Sequence, residues 1–125
     1  MNVKIDTKEK FFVITPQEQS LTVNMTEELG GLLLSCLEKP PHSLVLNLQA
    51  VDELSEDAAN TIVETQQRFY DQNASFVICE IKPGVENWLD EKELLELLNC
   101  TPTESEAWDI VQMEEIEREF LGEDE

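Results

Sequence analysis

Two short, almost wholly apolar runs constrain this chain most. They are Ser43-Leu44-Val45-Leu46-Asn47-Leu48 and Ala74-Ser75-Phe76-Val77-Ile78-Cys79-Glu80. A strand that is apolar at nearly every position has both faces covered, which suits a central strand beneath helices. Between the runs, from near Ser55, the residues Ala58, Ala59, Ile62, Val63, Gln66, Phe69 and Tyr70 recur at helical spacing. They predict the inward face of a helix that stops at Asp71-Gln72-Asn73. Strand, helix and strand make one βαβ unit, which implies parallel strands and a right-handed crossover. A chain of 125 residues fits one domain. It can bury a core without disulfides or metal.

The flanking segments add further elements. Val3 to Asp6 can form a short strand. Lys10-Phe11-Phe12-Val13-Ile14-Thr15-Pro16 is a stronger one, stopped by proline. Leu21-Thr22-Val23 adds a brief extended piece. A first helix is expected from about Thr26 to Glu38, capped by Thr26, with Leu29, Leu32, Leu33, Cys36 and Leu37 inward. Gly30 and Gly31 weaken it by roughly 1 kcal/mol each and suit close packing on a sheet. Pro40-Pro41 ends it. After the loop Lys82-Pro83-Gly84, a short helix is expected over Val85 to Asp90. Leu94 to Asn99 fits either a helical continuation or an edge strand. Thr103-Glu104-Ser105-Glu106 reads as a capping box for a last helix with Ala107, Ile110, Val111 and Ile116 on one face. The residues from Leu121 to Glu125 read as an acidic, frayed tail.

Charge narrows the partners. The chain has 28 acidic and 8 basic residues, a formal net charge of −20. Such a field repels phosphate backbones and anionic lipid, so neither nucleic acid nor direct membrane insertion is expected. A basic protein surface is the natural partner, and plain solubility is the competing explanation. No apolar stretch is long enough for a membrane span. Met1 to Asp6 has no apolar run or cleavage-like site, so no signal peptide is expected. Cys36, Cys79 and Cys100 are odd in number, scattered and set in apolar surroundings. They read as reduced core cysteines of a cytoplasmic protein, and the sequons at Asn24 and Asn73 then carry no meaning.

The residues offer no catalytic reading. The single histidine, His42, follows two prolines and belongs on a surface turn. Three scattered cysteines do not make a zinc site. The Gly30-Gly31 pair lacks the lysine of a phosphate loop. Neighbouring carboxylates such as Glu56 and Asp57 are expected by chance in so acidic a chain. Trp88 and Trp108 read as packing residues. No enzyme activity, cofactor or metal is expected.

The informative segment runs from Leu44 to Val63. A loop, Gln49-Ala50-Val51-Asp52-Glu53-Leu54, leads to Ser55-Glu56-Asp57-Ala58-Ala59. Ser55 is a good N-cap, able to accept a hydrogen bond from the amide of Asp57 or Ala58. Glu56 and Asp57 meet the positive end of the helix dipole, worth about 0.3–1 kcal/mol each. Helix capping is thus a sufficient explanation of these residues.

The order of elements also resembles the STAS domain family, best known from bacterial anti-sigma factor antagonists. In that family a central strand leads through a loop to a hydrophobic-Asp-Ser-Ser/Thr-Gly-hydrophobic motif at a helix start, and the second hydroxyl residue is phosphorylated by the partner kinase. Leu46-Asn47-Leu48 resembles the strand, and Leu54-Ser55-Glu56-Asp57-Ala58-Ala59 takes the motif's place. In register, Ser55 replaces the aspartate, Glu56 the first hydroxyl residue, Asp57 the phosphoacceptor and Ala58 the glycine. Thr103-Glu104-Ser105-Glu106-Ala107, after Thr101-Pro102, resembles the family's Thr-x-x-Glu-Ala start of the last helix. The resemblance implies a STAS-like α/β fold over residues 1–120, a four- to five-stranded mixed sheet packed with about four helices, with residues 121–125 as tail.

The altered motif has a physical meaning. Phosphorylation adds about −1.5 to −2 charge, and in the family that charge releases the kinase partner. Asp57 places a permanent charge there, with Glu56 beside it. The expected function is a non-catalytic protein-interaction module that phosphorylation at this position cannot switch. Its docking surface is expected at Asp52, Leu54, Ser55, Glu56 and Asp57, facing an anti-sigma factor kinase or another basic surface. Three alternatives stand beside it: phosphorylation moved to Ser55, an accessory subunit of a larger assembly such as a transport system, and a small-molecule or nucleotide-binding domain. The acidic, glycine-free turn after Leu48 disfavours the last.

Overall fold

The structure, a computed structural model, describes residues 1–123. The apolar runs form β4 (Leu44–Asn47) and β6 (Phe76–Cys79), every residue of both being buried. Between them α2 spans Glu56–Asp71. The crossover makes β4 and β6 parallel, with Leu46 opposite Ile78. β2 (Phe12–Pro16) joins β4 in parallel, and β1 (Val3–Thr7) pairs antiparallel with β2 at the edge. β7 (Cys100–Thr101) closes the other edge beside β6. The mixed five-stranded sheet has the order β1-β2-β4-β6-β7. A two-residue parallel ladder, β3 (Ser20–Leu21) with β5 (Glu53–Leu54), stands apart from it.

Helices cover both faces unequally. α1 (Thr26–Ser35), α2 and α3 (Pro83–Glu91) lie on one face, packing Leu29, Leu33, Ile62, Phe69 and Leu89 against Phe12, Ile14, Leu44, Leu46, Phe76 and Ile78. α4 (Glu104–Glu123) covers the other, where Ala107 and Val111 meet Val13, Val45 and Val77. Burying each large apolar side chain contributes about 1.5–3 kcal/mol.

Several expectations need correction. Thr26 does not cap α1. A 3-10 turn over Val23–Met25 leads into the helix, and no side chain caps it. Val23 is therefore helical, not extended. The glycine of α1 that packs closely is Gly30, and it meets a helix, not the sheet: an added Cβ would lie 3.0 Å from Thr61 Cγ2 on α2. α3 starts earlier than expected, with Pro83 in its first turn, where its missing N–H costs nothing. Leu94–Asn99 is neither strand nor helical continuation. Leu95–Leu97 form a 3-10 turn held from α2, where the Gln66 side chain bonds Leu97 O and Asn99 N at 2.8 Å each.

On α2, Thr65 is buried while Val63, Gln66 and Tyr70 are half-buried. On α4, Ile116 faces solvent at 55% exposure. Nine residues after the buried Ala107, it lies on the opposite side of the helix, and polar groups line the inward side. Arg118 donates to Ser75 Oγ at 2.7 Å and Glu115 Oε1 at 2.8 Å, and Tyr70 OH donates to Glu114 at 2.8 Å. α4 continues through Glu123 where a frayed tail is expected. Residues 124 and 125 of that tail lie outside the described residues.

Candidate functional site

The loop between β4 and α2 is tied down at both ends. Leu48 N donates to Cys79 O at 3.0 Å, and Val51, fully buried, turns the chain back with a 3.0 Å bond to Leu48 O. Asp52 N and Glu53 N both donate to Gln19 O, and Ser55 N donates to Leu21 O at 2.9 Å. The β3–β5 ladder thus fixes the approach to α2 with backbone bonds. This leaves the acidic side chains of the segment outside the core.

Ser55 caps α2 as expected. Its backbone is extended, and Oγ accepts from Ala58 N at 3.0 Å. Ala58 and Ala59 are buried against the core, so the first turn of α2 cannot lift from it without exposing them. Glu56 and Asp57 are exposed in that turn, where their charge complements the dipole. Asp52 and Glu53 are also exposed. Leu54 differs from its neighbours. At 8% exposure it belongs to the core and offers only an edge, forming the floor between two shallow clefts. One, of about 350 Å³, is lined by Asp52, Glu53, Leu54, Gly84, Val85 and Trp88. The other, of about 300 Å³, lies toward Ser20–Val23.

Two lysines answer part of this charge, a feature the sequence reading missed. Lys82, at the cap of α3, pairs with Asp52, and Lys92, just past its end, lies 3.9 Å from Glu56. Glu53 accepts from Ser20 Oγ at 3.3 Å. Asp57 takes part in no ion pair among the described residues. Among the described residues no group of three metal-ligating side chains forms.

The other reactive side chains lie elsewhere. His42 sits on the exposed turn before β4 with Nδ1 2.8 Å from Leu37 O. All three cysteines are free. Cys36 and Cys79 are buried and Cys100 is half-buried. Burial pushes the Cys79 thiol up to about 12 and the Cys100 thiol up to about 11, and raises Cys36 as well. Neutral, buried thiols are poor nucleophiles. Among the described residues, no helix is long and apolar enough to cross a membrane.

Comparison with known proteins agrees with the expected family. The STAS domain family model matches residues 2–107. Among solved structures, a putative anti-sigma factor antagonist from Thermotoga maritima superposes with a TM-score of 0.77 at 17% identity, covering 88% of this chain and 94% of that one. An anti-sigma factor antagonist from Mycobacterium paratuberculosis gives 0.77 at 15% identity, covering 89% and 93%. The murine solute carrier 26 family member A9 anion transporter gives 0.68 at 10% identity, covering 86% of this chain but 18% of the transporter. No curated protein matches the chain by sequence.

Proposed function

The chain belongs to the STAS domain family, and from that premise we propose that it is a non-catalytic protein-interaction module, resembling an anti-sigma factor antagonist, whose docking surface is fixed in an acidic state. The observation that carries this reading is Asp57. It is exposed in the first turn of α2, outside any ion pair among the described residues. In register with the family motif it stands where the phosphoacceptor hydroxyl would be. A carboxylate there cannot be phosphorylated by a hydroxyl-directed kinase. Ser55, the nearest hydroxyl, is engaged as the cap of α2.

On this reading Asp52, Glu56 and Asp57 present charge to a basic surface of another protein, an anti-sigma factor kinase by family resemblance. Leu54 adds an apolar floor between them. Lys82 and Lys92 damp Asp52 and Glu56, so Asp57 carries the least compensated charge.

The test is purification of the tagged chain from its native host, as wild type and as Asp57→Arg, with phosphate mapping. The reading expects a co-purifying protein that Asp57→Arg loses, and no phosphate on Ser55. An unchanged set of recovered proteins would reject the surface. Phosphate on Ser55 would reject the fixed state. Likeness in fold to part of an anion transporter supports a second reading, an accessory subunit of a transport assembly. Co-purification with a membrane complex would favour that one.

A further inference from the structure

The outward face of α4 carries an apolar stripe that no described part of the chain covers. Met113, Ile116 and Phe120 are 60%, 55% and 68% exposed, with Leu121 beside them at 68%. Spacings of three and four residues place the first three in one line, as at the seam of a coiled coil. Ile116, Phe120 and Leu121 border, with Glu117, a shallow depression of about 400 Å³. The opposite side of the same helix is anchored, by Ala107 and Val111 in the core, by Arg118 on Ser75 and by Glu115 on Ser43. The helix is therefore held firmly with its apolar line outward. This stripe lies beyond residues 2–107 that match the family. It is also on the far side of the sheet from the α2 start, and does not depend on how that site is read.

Charge selects the occupant. Glu104–Glu123 contains eight carboxylates and one cation, Arg118, which is turned inward. Glu117 and Glu119 flank the apolar line on its two sides at the positions where coiled coils place their pairing charges. Glu119 lies 3.6 Å from Lys10 Nζ, whereas Glu117 takes part in no ion pair among the described residues. A second copy would bind through the same face, since a two-fold interface pairs with itself. In antiparallel each carboxylate meets its own kind; in parallel Glu117 faces Gln112, but two helices of eight carboxylates and one cation, on two chains of net charge −20, are still brought together. An anionic lipid surface is repelled by the same residues.

We propose that this face of α4 docks an amphipathic helix of another protein, with aliphatic side chains in the seam and lysine or arginine flanking them. The probe is a synthetic helix of about three heptads, leucine at both seam positions and lysine at both flanking positions. Fluorescence anisotropy against the full chain is expected to give saturable binding. Ile116→Ser with Phe120→Ser should weaken it by at least about tenfold, as for the centre of a small interface. Glu117→Lys with Glu119→Lys should do the same. All four residues are exposed, so circular dichroism should be unchanged. A control peptide with serine in the seam should not bind. Equal affinity for the serine-substituted chain, or equal binding of the control peptide, would overturn the proposal. So would a wild-type dimer in sedimentation that Ile116→Ser/Phe120→Ser dissociates, since the face would then belong to a second copy.

Discussion

The start of α2 and the second half of α4 are both acidic helical surfaces, yet they are built in opposite ways. At α2 the apolar residues, Leu54, Ala58 and Ala59, turn into the core, and the carboxylates stand outside on a backbone fixed by the β3–β5 ladder. On α4 polar side chains turn inward, where Glu114, Glu115 and Arg118 meet Tyr70, Ser43 and Ser75. The apolar residues of its second half, Met113, Ile116, Phe120 and Leu121, stand outside. The difference teaches that net charge does not say how a surface binds. The first surface offers charge over a thin apolar floor. The second offers apolar contact framed by charge.

The contrast can be broken first where burial differs most. Leu46 is fully buried at the centre of the sheet, whereas Phe120 is 68% exposed. Leu46→Ala should destabilise the fold by about 2–5 kcal/mol in urea titrations. Phe120→Ser should change it by no more than about 0.5 kcal/mol. A large loss from Phe120→Ser would mean that the α4 stripe packs within the chain after all.

Alkaline pH probes the polar side of α4 and the core beneath it. Burial, reinforced by the bond to Glu114, pushes Tyr70 up to about 12, and burial likewise pushes Cys79 up to about 12. Groups raised in the folded state contribute fully below their unfolded values, and that contribution is lost as pH climbs through the folded ones. The urea midpoint should therefore fall between about pH 8 and about pH 10.5, continuing downward toward 12. A flat profile would contradict the burial of these groups.

Smaller effects sharpen the account of the helix starts. Ser55→Ala should cost about 1 kcal/mol, whereas Ser55→Asp, which keeps a capping oxygen, should be nearly neutral. Equal losses would remove the cap from the account. On α1, Gly31 faces open space and Gly30 does not. Gly31→Ala should stabilise by about 0.5–1 kcal/mol. Gly30→Ala should gain less or lose, because its methyl would crowd Thr61.

Much of this was readable from the residues. The two apolar runs, the helix between them and the Ser55 cap follow from local pattern and bonds, and the structure has all three. What depended on distant contacts was not readable. At Ile116 the pattern itself contradicts the expected face: nine residues after Ala107 is two and a half turns, which sets it opposite Ala107 and Val111 and not on one face with them. What distant contacts supply is the polar lining, where Ser75 and Ser43 hold Arg118 and Glu115 inward. The turn at Leu95–Leu97 depends on Gln66 in the same way. At the candidate site the sequence offered the carboxylates but not Lys82 and Lys92, which reach them only after α3 packs.

The central claim is that the α2 start is the docking surface. Hydrogen exchange on the chain, free and bound to the protein that co-purifies with it, tests this most directly. The account predicts new protection over Asp52 to Asn60, in the loop and first turn of α2. Unchanged exchange there, with protection gained only elsewhere, would contradict it.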